Sequence, residues 1–182
     1  MRTDIRFSYD EYRALPETGP HYQLVDGDLI MSPAPTFRHQ DILMRLIRFL
    51  DAHIEKNKLG KLLCAPLDVI FSDEDVYQPD LVFISNSRKS IIVPEGLRGT
   101  PELCVEILSP SNKELDQKTK RLQYARFGLP ELWLVDPFAN TLQIFRLQED
   151  PHHAAQTLSE TETLNSKTFP GLELKLDQIF AK

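Results

Sequence analysis

The stretch from Leu103 to Leu108 constrains the fold of this chain more than any other feature, because it is an apolar run broken by a single charge. Such a run is typical of a strand at the centre of a sheet, covered on both faces. Glu106 lies inside it, and a carboxylate in that position is costly unless it is ion-paired, hydrogen-bonded or bound to a metal. The sequence therefore predicts a buried sheet with one acidic group that requires a partner.

Turn and capping signals divide the rest of the chain into helices and strands. Asp26-Gly27 between two apolar runs predicts a two-residue β-hairpin near the N-terminus. The apolar stripe from Ile42 to Ile54 predicts a long helix that Gly60 ends. These signals predict one mixed α/β domain over residues 1–182, with a central sheet flanked by two main helices. The further predictions are a capped helix from Ser8 to Leu15, a helix from Ser111 to about Phe127, strands at 62–64, 67–71, 81–84, 132–135 and 141–147, a half-buried strand at 172–176, and loops at 85–101 and 148–159.

Composition excludes several classes of protein. The chain has 27 acidic and 21 basic residues and a net charge of −6, so it does not coat nucleic acid by electrostatics alone. Its two cysteines, Cys64 and Cys104, form neither a disulfide framework nor a zinc quartet, which favours a reducing cytoplasm. There is no signal-peptide core and no apolar stretch of the roughly 18 residues that a membrane span requires, so we expect no membrane association.

Two acidic residues stand in strand context. Asp80 follows Gln78-Pro79 at the start of the predicted strand 81–84, and Glu106 lies inside the apolar run. If the two strands are neighbours, the carboxylates converge on one hard cation, and Mg²⁺ suits such a site because it binds one or two carboxylates and keeps several waters. The alternative is that Glu106 pairs with an arginine or lysine while Asp80 caps a turn.

The helix predicted after Glu106 adds a cation to this pair. Asp116, Lys120 and Tyr124 follow at four-residue steps and share one face of that helix. On one interpretation Lys120 points back over the strand end, where its ammonium orients an attacking water or offsets phosphate charge. On the other, Asp116 and Lys120 form an ordinary surface ion pair. Two acids and a lysine are the minimum set for metal-assisted phosphodiester hydrolysis.

Several strings occur along the sequence in a fixed order: Tyr22 to Leu29, Gln78 to Phe83, Val105 to Ser111, Asp116 with Lys120 and Tyr124, Gly128 to Pro137, and Phe169 to Leu172. Taken together, they resemble the Uma-two family of putative restriction endonucleases, which belongs to the PD-(D/E)xK nuclease superfamily. The resemblance spans nearly the whole chain and implies a restriction-endonuclease-like mixed sheet flanked by helices. It also implies Mg²⁺ or Mn²⁺ held by Asp80, Glu106 and the main-chain carbonyl of Ile107.

The chain departs from the family pattern at two positions. The superfamily lysine is expected two residues after the second acid, where this chain has Leu108, so the resemblance implies that Lys120 takes that role from the helix. The hairpin has Gln23 where the family often has glutamate; its carbonyl can still accept a hydrogen bond from a metal-bound water, but it adds no charge. His39 lies where the family tends to have histidine, and either supports the site or bonds locally at the helix start.

The function favoured by these residues is metal-dependent endonuclease cleavage of DNA, with Asp80, Glu106 and Lys120 as catalytic residues and Asp116 and Tyr124 as supports. The rivals are a catalytically impaired descendant that binds nucleic acid or protein, and a hydrolase of other phosphate esters. The cations Lys113, Lys118 and Arg121 either contact DNA or form a solvated helix face. Double-strand cleavage favours a homodimer, with 141–147 and 85–101 as candidate contact regions.

Overall fold

The computed structural model describes residues 6–16, 18–109 and 115–181, with the backbone alone for 115–117. Its helices are α1 (Tyr9–Arg13), α2 (Phe37–Asn57), a 3₁₀ helix (Asn86–Ile91), a π-helix (Leu115–Lys120), α3 (Arg121–Arg126) and α4 (Asp177–Phe180). Its strands are β1 (His21–Val25), β2 (Asp28–Ser32), β3 (Gly60–Cys64), β4 (Val69–Ile70), β5 (Val76–Tyr77), β6 (Leu81–Ser85), β7 (Ile92–Val93), β8 (Gly96–Arg98), β9 (Leu103–Ile107), β10 (Glu131–Asp136), β11 (Thr141–Arg146), β12 (Gln156–Ser159), β13 (Thr163–Leu164) and β14 (Leu174–Lys175).

Two six-stranded sheets form the framework. The central sheet has the order β12-β11-β10-β9-β6-β3, with β9 and β10 parallel and the other pairs antiparallel. The outer sheet has the order β2-β1-β5-β4-β8-β7 and includes the predicted N-terminal hairpin. The apolar run predicted as a central strand is β9, and all five of its residues are buried. The alternation of side chains along the central sheet divides the core between its two faces.

Each face of the central sheet is covered by a different layer. Val105 and Ile107 pack on the side of α2, where Leu46 and Leu50 are fully buried. Cys104 and Leu108 point the other way and pack with Tyr77 and other residues of the outer sheet. Glu106 extends from the same face of the sheet as Cys104 and Leu108, because side chains two residues apart on a strand share a face. Its side chain therefore lies between the central sheet and the layer that contains α3.

Several predicted elements differ from the observed ones. The single central sheet is in fact accompanied by the outer sheet, and the predicted strand 67–71 is reduced to Val69–Ile70. The predicted loop 85–101 contains the 3₁₀ helix, β7 and β8, and the predicted loop 148–159 ends in β12. The helix expected over 111–127 is a π-helix followed by α3, and residues 110–114 lie outside the described part.

Near the C-terminus, Leu172, Leu174 and Leu176 are buried while their neighbours are exposed, as the alternation predicts, although the ladder itself covers only Leu174–Lys175. Among the described residues, no helix has the length and apolar character needed to cross a membrane.

Candidate active site

The two predicted carboxylates lie at facing positions on neighbouring strands. Strands β6 and β9 are antiparallel, and Leu81 is opposite Val105. Asp80 is one residue before Leu81 and Glu106 is one residue after Val105, so both acids extend from the same face of the central sheet. The condition set by the sequence, that the two strands be neighbours, is met.

A cleft of about 540 Å³ opens over these positions, between the hairpin of the outer sheet and the start of α2. It brings together five of the predicted site side chains with the backbone of Ile107, even though they come from five separate parts of the chain. The predicted residues that line it are Gln23, His39, Asp80, Glu106, Ile107 and Lys120.

Asp80 is the more accessible acid, with 18% of its side chain exposed. Its Oδ2 accepts a hydrogen bond from the Ile107 N–H at 2.6 Å and lies 3.2 Å from Nε2 of His39. The bond to Ile107 joins the two strands beyond their regular ladder. It therefore fixes the Asp80 carboxylate beside the end of β9 through a backbone donor that no substitution other than proline removes.

Glu106 is the buried acid, with 4% of its side chain exposed. Its Oε1 accepts hydrogen bonds from Lys120 Nζ at 3.1 Å and from the Tyr124 hydroxyl at 2.7 Å. Burial, and then the charge of Glu106, raises the pKa of Tyr124 well above its usual range, so the hydroxyl keeps its proton and donates. The buried carboxylate that the sequence predicted to require a partner therefore has two, the charged Lys120 and the neutral Tyr124.

Lys120 is itself buried, with 2% of its side chain exposed, at the junction of the π-helix and α3. Lys120 is therefore not a surface residue, because its ammonium points inward to Glu106. The Asp116 side chain lies outside the described part of the chain. A buried charge is stable only when it is compensated, and the Lys120 ammonium and the Glu106 carboxylate supply opposite charges to each other.

His39 is placed by the start of α2. The Thr36 hydroxyl accepts the His39 N–H at 3.2 Å as the helix N-cap. The neighbouring Arg38 donates from its guanidinium to the carbonyls of Phe180 and Ala181, so the first turn of α2 is also tied to the C-terminal segment. Both contacts hold His39 over Asp80, which favours a role at the site over a purely local hydrogen bond.

Gln23 lies in the wall of the cleft and is 5% exposed. Its Nε2 donates to the Ser32 hydroxyl at 2.8 Å, and its Oε1 accepts the Gln78 N–H at 3.1 Å. The side chain therefore ties β1 to the segment that leads into Asp80. Among the described residues no group of three or more His, Cys, Asp or Glu side chains is arranged to hold a metal ion.

The predicted DNA-contact cations are not gathered at the cleft. Lys118 is exposed, and Arg121 lies with its guanidinium 4.8 Å from the centre of the Phe145 ring. Neither residue lines the cleft. Lys113 lies outside the described residues. The prediction that Arg121 meets the nucleic-acid backbone beside Lys120 is therefore not supported by its position.

Comparison with known proteins identifies the family. Residues 9–177 match the family model Uma2, described as "Putative restriction endonuclease". The chain belongs to the Uma2 family. A search of the curated proteins found no match.

Among the solved structures, the chain is similar to a "putative nuclease belonging to DUF820" from Anabaena variabilis ATCC 29413. The two share 22% sequence identity over 96% of this chain and 98% of the other, with a TM-score of 0.78. The likeness confirms the predicted fold class: a mixed α/β nuclease-like fold with an N-terminal hairpin.

The departure from the expected pattern at Leu108 has a physical explanation in this structure. Leu108 is buried in the core on the Glu106 side of the central sheet, and its N–H donates to the Val135 carbonyl at 2.8 Å. A lysine at 108 would have to be accommodated in that core. Lys120 reaches Glu106 from the helical segment instead, as the resemblance implied.

Other members of the site were missed by sequence reasoning. Ser32 and Ser109 line the cleft, and so does the Pro33-Ala34-Pro35 segment. The sequence could have predicted that Gln78 lines the cleft, because a polar residue just before Pro79-Asp80 is placed by the same turn as the acid. It could not have predicted the same of His21, since an exposed histidine at the start of a strand is common.

The donor set at the strand ends fits a hard divalent cation. Asp80, Glu106 and the Ile107 backbone line one cleft and offer carboxylate and carbonyl oxygens, which are the ligands that Mg²⁺ and Mn²⁺ prefer. Two carboxylates are a sufficient number for Mg²⁺, which keeps several of its waters. The lining also includes His21 and His39, but the strand ends themselves offer oxygen ligands, which suit Mg²⁺ and Mn²⁺ better than zinc.

Proposed function

We propose that this protein is a Mg²⁺- or Mn²⁺-dependent endonuclease that hydrolyses DNA phosphodiester bonds. One observation carries the proposal: two carboxylates at facing positions, one just before β6 and one on β9, share a cleft with a buried lysine. Membership of the Uma2 family supports the same reaction class. Two free cysteines, one of them the exposed Cys64, favour a reducing compartment, and we propose the cytoplasm.

The metal would be held by Asp80, Glu106 and the Ile107 carbonyl. When bound, it supplies Lewis-acid polarisation of the phosphate and lowers the pKa of a coordinated water. The chain's own contribution begins with Asp80, whose carboxylate is oriented in advance by the Ile107 N–H and by His39. A ligand that is already oriented loses little freedom on binding, which strengthens the site without further contacts.

Lys120 contributes the positive charge. Its ammonium donates to Glu106, and Lys120 also lines the cleft where a phosphate would lie. Hydrolysis adds one water across the bond: a new P–O bond forms as the bond to the departing sugar oxygen breaks. Lys120 stabilises the negative charge that develops on the phosphoryl oxygens during that exchange. Tyr124 holds Glu106 in place with a proton that its raised pKa retains.

The proposal is tested by cleavage of plasmid, linear and branched DNA with Mg²⁺, with Mn²⁺ and with EDTA. We expect metal-dependent cleavage that Asp80→Asn lowers by about a hundredfold or more, the scale of removing one preorganised group. This substitution keeps an acceptor for the Ile107 N–H, so the fold is expected to survive. Glu173→Gln, at an exposed position outside the cleft, is the matched control.

Metal binding is tested separately by titration calorimetry. Wild type is expected to bind Mn²⁺ at one main site that Asp80→Ala weakens or removes. Equal binding by the two proteins removes Asp80 from the metal site. A wild type that cleaves no substrate with any metal contradicts the endonuclease proposal itself.

A second candidate function is supported by Gln23. Both ends of its carboxamide are used in the cleft wall, and it brings no charge to a site that has two carboxylates. On this basis the alternative is a catalytically impaired protein that binds nucleic acid or a protein partner. Gln23→Glu discriminates between them, because the Gln78 N–H and the Ser32 hydroxyl can both donate to a carboxylate. Cleavage that appears only in this variant supports the impaired protein.

We also propose that the enzyme acts as a homodimer, which places two sites on the two strands of DNA. Of the two candidate contact regions, 141–147 cannot pair edge to edge with a second copy of the chain, because β11 already lies between β10 and β12. The region 85–101 contains β7, the edge of the outer sheet, where Ile92 is 40% exposed. It is the candidate that remains.

A further inference from the structure

A second, shallower cavity of about 280 Å³ adjoins the cleft. Three residues, Pro20, His21 and Gln78, line both. The two spaces are therefore separated only by the entry to β1 and the exit from β5. Pockets for drug-sized ligands run from about 300 to 1,000 Å³, so this one is the size for a single ring system.

The polar groups of the cavity form one network. Asp68 Oδ1 accepts hydrogen bonds from the Tyr12 hydroxyl at 3.0 Å and from Gln78 Nε2 at 2.8 Å. Gln78 Nε2 also lies 3.4 Å from the Tyr12 hydroxyl, so both of its hydrogens have an acceptor. Burial, and then the charge of Asp68, raises the pKa of Tyr12, which keeps the hydroxyl protonated as a donor. The donors of the network are thus satisfied within it.

Two acceptors of the same side chains are left for a ligand. No hydrogen bond between described residues involves Asp68 Oδ2 or Gln78 Oε1. Both of these oxygens belong to side chains that line the cavity and both are acceptors, so the complementary ligand presents N–H groups. Tyr22 supplies an aromatic wall, which favours a flat ring over an aliphatic amine.

Arg13 adds a positive charge at the edge of this cavity. Its side chain is 54% exposed, and its ion pair with Glu95 is loose, at 3.8 Å. Exposed pairs of this kind contribute little, so the guanidinium can turn to a phosphate without a large loss. A ring with N–H donors beside a phosphate describes a nucleotide.

We propose that this cavity is a nucleobase subsite, which receives one unpaired amino-bearing base (guanine, cytosine or adenine) of the nucleic acid bound in the cleft. The inference rests on the proposed function for the identity of the polymer, and on the network for the base. In a duplex those amino groups are engaged by the opposite strand, so the subsite selects single-stranded or locally unpaired substrate. Gln78 joins subsite and site directly: its side chain lies in the first, its N–H binds Gln23 in the second, and Asp80 follows two residues later.

The test is a titration of metal-free protein with dGMP, dCMP, dAMP and TMP, in which binding is monitored by NMR of the amide groups. We expect saturable shifts at the Gln78 side-chain amide for the three amino-bearing nucleotides, with TMP about tenfold weaker, the loss expected for one hydrogen bond to a charged acceptor. Asp68→Asn replaces one carboxylate oxygen, an acceptor, with an amide group that donates, and it is expected to weaken the binding of dGMP by a similar factor.

Arg13→Ala and Arg48→Ala are the matched pair, since both remove an exposed arginine and only the first borders the cavity. Arg13→Ala is expected to weaken the binding of dGMP and to leave the binding of deoxyguanosine unchanged. Arg48→Ala is expected to change the binding of neither. Equal affinity for all four nucleotides, or wild-type binding by Asp68→Asn, overturns the subsite. Because the assay contains no metal and measures no cleavage, an inactive protein that still discriminates between bases refutes the nuclease and retains the subsite.

Discussion

The Glu106–Lys120 pair can be tested as a unit of stability, apart from any catalysis. Lys120→Met removes the ammonium while keeping much of the side-chain length, and it leaves Glu106 as a buried charge without its cation. Glu106→Gln has the converse effect on Lys120. The double variant removes both charges, and the carboxamide oxygen still accepts the Tyr124 hydroxyl.

The magnitudes follow from burial on both sides of the pair, 2% and 4% exposed. Breaking one partner of a buried pair costs about 3–5 kcal/mol, because the other charge is left uncompensated. Replacing both by neutral groups is often close to neutral, so we expect the double variant to be no less stable than the worse single one. The resulting coupling is at least the smaller of the two single losses, about 3 kcal/mol. A loss of this size is a large part of the 5–15 kcal/mol that stabilises a typical domain.

The assay is urea unfolding in EDTA at pH 7, with the free energy of unfolding compared across the four proteins. Lys118→Met is the control, since Lys118 is exposed two residues away and is expected to change stability by no more than about 0.5 kcal/mol. Additive effects of the two single substitutions would refute the reasoning. So would a Lys120→Met protein as stable as the control.

Two further predictions concern pH and assembly. Burial raises the pKa of Tyr77 and Tyr124 above the ordinary value of 10.0, so their contribution to stability is present below about pH 10 and is lost as the pH rises further. Phenolate absorbance and urea midpoints across that range check this; ionisation of all five tyrosines near pH 10 without unfolding contradicts it. Light scattering is expected to give about twice the chain mass of 21.0 kDa, and a mass near 21 kDa counts against the dimer.

The parts of the fold that local chemistry determines were predictable. The Asp26-Gly27 turn forms the hairpin with both residues at positive φ, the conformation such turns require. The capping box at Ser8 is present, with the Glu11 side chain accepting the Ser8 N–H. The apolar stripe of α2 faces the core as the periodicity indicates. In each case the signal lies within a few residues of the structure it specifies.

What the sequence did not reveal depends on pairing between distant segments. Strands of two residues, such as β4 and β5, are too short for any periodicity, so the outer sheet had no signal of its own. Strand β12 contains Gln156 and Thr157 and forms because β11 offers it an edge. Helical spacing allowed Lys120 to point toward the strand end, but its burial against Glu106 depends on packing that this spacing cannot show.

The unequal burial of the two acids bears on how the proposed cleavage activity would be lost in evolution. Under that proposal, loss of Glu106 alone would leave a buried lysine without this carboxylate, whereas a change at the more accessible Asp80 would act on the chemistry first. Selection for a folded chain would then preserve Glu106 and Lys120 after selection for cleavage had ended. An intact Glu106–Lys120 pair in a descendant would indicate an intact core, and Asp80 would indicate whether the proposed cleavage persists.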